Sequence, residues 1–232
     1  MKLSEEMKNK TLLSFELFPP KTEKGLQNLP GTIDHLMKYN PSYISCTYGA
    51  GGGNVGANRE VCQMIKNAGT TPVTHFTVIK NTKEGIKEQL DQYLADGVDH
   101  MLALRGDIPL GETTTCGDFD YATDLVKFVR DTYGDKFEIA VAGSPEGHIS
   151  CRSLESDIAV LKQKQDNGAD YIMTQLCWDM EQFKYWLDAI RKAGITMPVD
   201  VGVMPILDQA ATINMALSRN GCVMDRELSR MI

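Results

Sequence analysis

The chain has 232 residues, 42% hydrophobic and 24% charged, enough for one sizeable core or at most two small domains. Its 24 Lys and Arg against 31 Asp and Glu give a net charge of −7, which argues against a nucleic-acid or membrane-surface protein but leaves room for a local phosphate-binding pocket. No run approaches the ~18 consecutive apolar residues of a membrane span, and the charged stretch Met1–Lys10 lacks an apolar signal core, so the expected location is cytoplasmic.

The six cysteines (46, 62, 116, 151, 177 and 222) form no C-x-x-C pair and read as reduced thiols. The four histidines (35, 75, 100 and 148) form no ligand pattern, so no metal is expected.

Short β-rich runs alternate with helical patterns along the whole chain. Leu12–Phe18 reads as a strand and Leu26–Tyr39 as a helix; Tyr43–Tyr48 is the second strand, followed by a Gly-rich turn and a helix from about Asn58 to Ala68. Val73–Ile79 is the third strand, and Asn81 is the expected N-cap of the next helix, with Glu84 three residues on. Further strands are expected at Met101–Leu104, Glu138–Ala142, Tyr171–Leu176 and Val199–Val203. Helical patterns such as Leu154, Ile158, Leu161 and Phe183, Trp186, Leu187, Ile190 separate the later ones. Gln209–Ile232 reads as a helix, a break at Gly221 and a second helix start.

Parallel strands need crossover helices, and the repeat of roughly 30 residues suits βα units. The expected fold is an α/β barrel of the TIM (β/α)₈ type over residues 1–232, with seven units visible and the last missing or incomplete. An open doubly wound sheet is the rival, but no strand leads into a clean G-x-G-x-x-G.

Strand alternation sets Leu13, Phe15 and Leu17 against Ser14 and Glu16, and the same parity turns Ser45 and Thr47 inward. Glu16, Thr47, His75, Arg105, Asp107 and Gln175 all fall near strand C-termini, where barrel enzymes keep their sites. Any one of them has a bland structural reading; together they are explained by a polar ligand, since burial without partners costs free energy. Gly49–Gly53 would let backbone N–H groups approach a ligand. The Asp157, Val160, Lys164 stripe on the helix near Cys151 reads, by itself, as solvated surface.

The run Ser14-Phe15-Glu16-Leu17-Phe18-Pro19-Pro20-Lys21 resembles the opening of methylenetetrahydrofolate reductases. So do Thr47-Tyr48-Gly49-Ala50-Gly51-Gly52, Leu104-Arg105-Gly106-Asp107 and Pro145-Glu146-x-His148. The run Lys164-x-x-x-Gly168-Ala169-Asp170-Tyr171-x-x-Thr174-Gln175 and Gly202-x-x-Pro205-Ile206 follow in the same order. The resemblance implies an oxidoreductase, a flavoprotein that uses FAD to carry hydride from NADH or NADPH to 5,10-methylenetetrahydrofolate. The product would be 5-methyltetrahydrofolate, in one-carbon metabolism and methionine biosynthesis.

Carried over by position, Glu16 is the implied general acid, Asp107 lies beside flavin and pterin, and Gln175 meets nicotinamide and folate in turn. Implied FAD contacts are Thr47, Tyr48, Ala50, His75, Arg105, Gly106, Asp107, Ala122, His148, Cys151, Asp157 and Lys164. Ser144 stands where the family commonly has Tyr before Pro-Glu-x-His. The resemblance also implies a homo-oligomer, and leaves open whether NADH acts directly or through a redox partner subunit. The alternative is a non-catalytic barrel that binds FAD weakly or acts only with a partner.

Overall fold

The computed structural model describes residues 2–20, 22–48, 55–108, 111–217 and 230. The elements are α1 (Leu3–Glu6), β1 (Ser14–Leu17), α2 (Glu23–Met37), β2 (Tyr43–Cys46), α3 (Val55–Asn67), β3 (Thr71–Thr77), α4 (Lys83–Ala95) and β4 (His100–Leu104). They continue with α5 (Ala122–Tyr133), β5 (Glu138–Gly143), α6 (Leu154–Asp166), β6 (Tyr171–Thr174), α7 (Met180–Lys192), β7 (Val199–Asp200) and α8 (Gln209–Leu217). The contacts divide the chain into two compact units, Met1–Ala140 and Val141–Ile232.

In the first unit the strands hydrogen-bond in the order β1-β2-β3-β4-β5, and in the second β5-β6-β7. The pairs β1–β2, β2–β3, β3–β4 and β6–β7 are parallel. Sequential parallel order with a helix after each strand is the TIM-type α/β arrangement; a doubly wound sheet would reverse its order partway. All seven expected strands are present.

The registers set the two faces of the first unit's sheet. Leu17, Cys46, Thr74 and Met101 lie in one row, and Cys46, Thr74 and Met101 are fully buried. That row faces the helices, because Thr74 Oγ1 donates to Asn58 Oδ1 of α3 at 2.8 Å. Glu16 pairs with Ser45, and Ser45 with Val73, on the opposite face, as the alternation predicts. Aromatic rings fill the helix side: Phe76 lies 5.5 Å from Tyr48 and 6.3 Å from Tyr93 between ring centres.

Two local expectations need correction. The cap of α4 is Thr82, whose hydroxyl accepts from Gly85 N at 3.1 Å. Asn81, also of a capping type, is engaged elsewhere: Nδ2 donates to Thr77 O and Oδ1 accepts from Gln89 Nε2. Helix α3 starts at Val55, ahead of the expected Asn58, which places Asn58 inside the helix. The short α1 went unforeseen. Leu3 is its buried apolar anchor, too little for a periodicity, and its N-terminal amides are satisfied 135 residues away by Glu138. Gly221, the expected break, lies outside the described residues.

Candidate active site

In the first unit, β1 and β3 place Glu16 Oε2 3.6 Å from His75 Nε2. The Glu16 side chain is 45% exposed and that of His75 8%. Burial raises the Glu16 pKa above the ordinary carboxylate value. Burial also pulls His75 down to about 4, so at neutral pH it is an uncharged imidazole. The pair is therefore a carboxyl disposed to keep its proton beside a ring that does not take one.

His75 Nε2 and Thr77 Oγ1 are buried and have no hydrogen-bond partner among the described residues. Both residues lie on β3 with the parity of Val73, which pairs with Ser45 on the Glu16 side. Leu102, paired with His75, covers the same row from β4. Thr47 follows β2 directly and donates its N–H to Leu17 O at 2.9 Å.

Past β4 the chain turns at Gly106, with φ of +86°. A Cβ there would meet Ile79 Cγ1 at 2.5 Å, so glycine satisfies both the dihedral and the space. Arg105, partly exposed, donates Nε to Gly106 O at 3.2 Å, and Asp107 is exposed. Ala122 is the first residue of α5. Ala50 lies outside the described residues.

Tyr48 is 1% exposed, and its hydroxyl donates to Gln89 Oε1 at 2.5 Å in the helix layer. Burial pushes the phenol up to about 12. Its ring is thus on the side of the sheet away from Glu16, and only its backbone continues toward the Gly-rich run.

The second unit holds a separate cluster. His148 N donates to Asp157 Oδ2 at 3.3 Å, and Cys151 Sγ donates to Asp157 Oδ1 at 3.6 Å. Burial, with the Asp157 charge, raises the Cys151 thiol. Lys164 Nζ donates to Ala142 O at 2.9 Å at the end of β5, and burial lowers its pKa. The bland reading of Lys164 as solvated surface is corrected by that contact; Val160, one helical turn earlier, is 39% exposed. Gln175 follows β6, donates N–H to Gly143 O at 2.8 Å, and has its Oε1 tethered by Leu176 N.

One residue that sequence reasoning used only as a helix boundary is a buried hub. Asn58, fully buried, donates Nδ2 to Cys46 O at 2.9 Å and Thr47 O at 3.0 Å. Its Oδ1 accepts from Thr74 Oγ1 and from Tyr93 OH at 2.7 Å. The available signal was an Asn, a poor helix former, inside an amphipathic helical pattern.

Parallel βα units with ionisable residues gathered at strand C-termini define a TIM-type α/β protein with a polar site. The family described as "Methylenetetrahydrofolate reductase" matches residues 2–223. The chain belongs to the methylenetetrahydrofolate reductase family. It is 38% identical over 219 residues to "Methylenetetrahydrofolate reductase (NADH) 1" of Arabidopsis thaliana, covering 89% of this chain and 37% of that protein. It is 34% identical over 202 residues to the "5,10-methylenetetrahydrofolate reductase" of Escherichia coli, covering 87% of this chain and 67% of that one. The chain thus spans little more than a third of the plant relative.

Among solved structures, an "uncharacterized protein from Clostridium thermocellum" that "binds two copies of 5-methyl-5,6,7,8-tetrahydrofolic acid" superimposes with a TM-score of 0.70 at 15% identity, covering 99% of this chain and 78% of that one. A 2,3-dimethylmalate lyase matches at a TM-score of 0.58 and 11% identity, covering 99% of this chain and 88% of the lyase. These two likenesses concern the fold.

Proposed function

We propose that this chain is a catalytic barrel that reduces 5,10-methylenetetrahydrofolate to 5-methyltetrahydrofolate with NADH or NADPH through FAD. The observation that carries the reading is the Glu16–His75 pair: a carboxyl with a raised pKa, 3.6 Å from a neutral imidazole. A general acid in this reaction must bring a proton to the substrate, and burial shifts the Glu16 carboxyl in that direction.

The residues present fit the cofactor. Two buried polar atoms, His75 Nε2 and Thr77 Oγ1, want a polar ligand. Arg105 supplies a cation suited to an anionic cofactor. In the first unit Thr47, His75, Arg105, Gly106 and Asp107 would hold FAD. FAD, when bound, supplies hydride transfer between nicotinamide and folate.

The protein's own part is positioning and proton supply. Glu16 gives its proton to the folate nitrogen that leaves as the imidazolidine ring opens, which frees the carbon to accept hydride. Asp107 places a charge beside the pterin, and Gln175 orients whichever partner is present. The expected setting is cytoplasmic one-carbon metabolism, and the expected assembly a homo-oligomer.

Two measurements test this. Purified protein should bind FAD and show its absorption bands; protein that cannot be reconstituted with FAD refutes the reading. Glu16→Gln should keep NADH oxidation and slow folate reduction by about 100-fold or more, the usual contribution of a general acid. Equal retention of both steps removes Glu16 from the role. The folate step of the parent should fall as pH rises through the Glu16 pKa, because only the protonated carboxyl acts.

A further inference from the structure

We propose that Asn58 is a positioning residue for the cofactor site, fixing the two peptide planes that carry Thr47 and lead into the Gly-rich run. Beyond Cys46 the described pairing of β2 with β3 ends, since Cys46–Thr74 is its last paired position. The carbonyls of Cys46 and Thr47 must then find donors elsewhere, and both are taken by the single amide nitrogen of Asn58.

The orientation of that amide is over-determined. Carbonyls only accept, so the Cys46 and Thr47 oxygens demand nitrogen, while the hydroxyls of Thr74 and Tyr93 can donate to the opposite atom. Flipping the amide would set oxygen against oxygen at both carbonyls. Asn58 is fully buried, where such mismatches are costly. The grip is therefore rigid, and it sits at the point where the strand stops and residues 49–53 begin.

The next side chain is locked as well: the Tyr48 hydroxyl is held by Gln89, and Gln89 by Asn81. Thr47 lies between these two anchors with its own N–H on Leu17 O. Its side-chain direction is thus set from three elements, α3, α4 and β1, before any ligand arrives. Such preorganisation lowers the ordering cost of binding. The inference rests on the FAD reading for its ligand, and on the Asn58 contacts for its geometry.

A structural hub and a positioning residue differ in what their loss does locally. Asn58→Asp keeps the acceptor for Thr74 and Tyr93 but removes the donor to both carbonyls. Tyr93→Phe removes a bond to the same amide and leaves the carbonyls held. Amide hydrogen exchange at Thr47 and Tyr48, whose N–H groups share peptide planes with those carbonyls, is read in FAD-free protein alongside the FAD dissociation constant and urea stability.

Asn58→Asp should speed exchange at both amides and weaken FAD by about tenfold, the equivalent of one lost hydrogen bond. Tyr93→Phe should lower the urea midpoint and leave exchange and FAD affinity within about twofold. Asn58→Ser, uncharged, repeats the comparison if the buried carboxylate does not fold. Equal effects of the two substitutions on exchange, or no effect of either, overturn the proposal. If the parent protein takes no FAD, the functional reading falls, and the exchange measurement still decides the role of Asn58.

Discussion

The first unit carries a Glu–His pair at each end of its strands, and the two pairs are in opposite states. At the entrance, Glu138 accepts from the amides of Leu3 and Ser4 at 2.7 and 2.8 Å and lies 2.9 Å from His100 Nε2. His100 Nδ1 is in turn 2.6 Å from Asp99 Oδ1. These donors hold Glu138 down at about 2, and the two carboxylates lift His100 to about 9 despite its burial. At the exit, Glu16 and His75 have no such partners among the described residues, and burial drives each toward its neutral form. Identical residue types thus become an ion pair where the protein supplies charged and hydrogen-bonding partners, and a pair pushed toward neutrality where burial dominates.

Removing Glu138 should break the contrast most strongly. Glu138→Leu leaves Nε2 of the His100 cation and two amides without their acceptor, and should cost about 3–5 kcal/mol in urea unfolding. A loss below about 1 kcal/mol would mean the entrance cluster is not the well-solvated end. The advantage of the parent over this variant should fade as pH falls from 4.5 toward about 2, as Glu138 protonates, and as it rises through about 9, as His100 deprotonates.

His75→Leu tests the other end with the opposite sign. The folded-state value near 4 lies below the ordinary 6.5, so the unfolded chain binds that proton first and the parent loses stability as pH falls between them. Relative to the parent, the variant should gain up to about 3 kcal/mol across that window. A difference that does not change with pH would place a charged or well-partnered histidine there.

Thr77→Val, nearly isosteric, should raise stability by about 1 kcal/mol by removing a buried hydroxyl that has no partner among the described residues. FAD should then bind more weakly; a stability loss would reveal a hydrogen bond to that oxygen. The smallest effect belongs to Asp99→Asn at the entrance, where the carboxylate is 58% exposed. Thermal unfolding should change by less than about 1 kcal/mol, while NMR titration finds the His100 pKa lower than in the parent.

Periodicity and alternation carried the fold because they depend on local spacing. The strands at Tyr43–Cys46 and Glu138–Gly143 are runs whose burial is continuous or nearly so, and their turns and helices bracket them. The inward parity of Glu16 and Ser45 was legible for the same reason. What spacing does not encode is where a long side chain ends. Lys164 has the helical phase of a surface residue, yet its four-carbon stem carries the amine to the Ala142 carbonyl. Tyr48, by contrast, keeps the parity of Cys46, and its ring packs on Phe76 in the helix layer as alternation predicts. The Asn58 hub joins β2, α3, β3 and α4, and no window of contiguous sequence contains those four partners.

The hold of Glu138 on Leu3 and Ser4 also bears on the order of folding. It joins residues 135 and 134 positions apart, so the loop it closes includes every strand from β1 to β4. Closing such a loop early costs chain entropy that grows with its length. On a ribosome the clasp cannot form until residue 138 has emerged, by which time the sequential pairs β1–β2, β2–β3 and β3–β4 have already been synthesised. The entrance cluster is therefore a late fastening, and nascent chains ending before β5 should leave the Leu3 and Ser4 amides open to exchange.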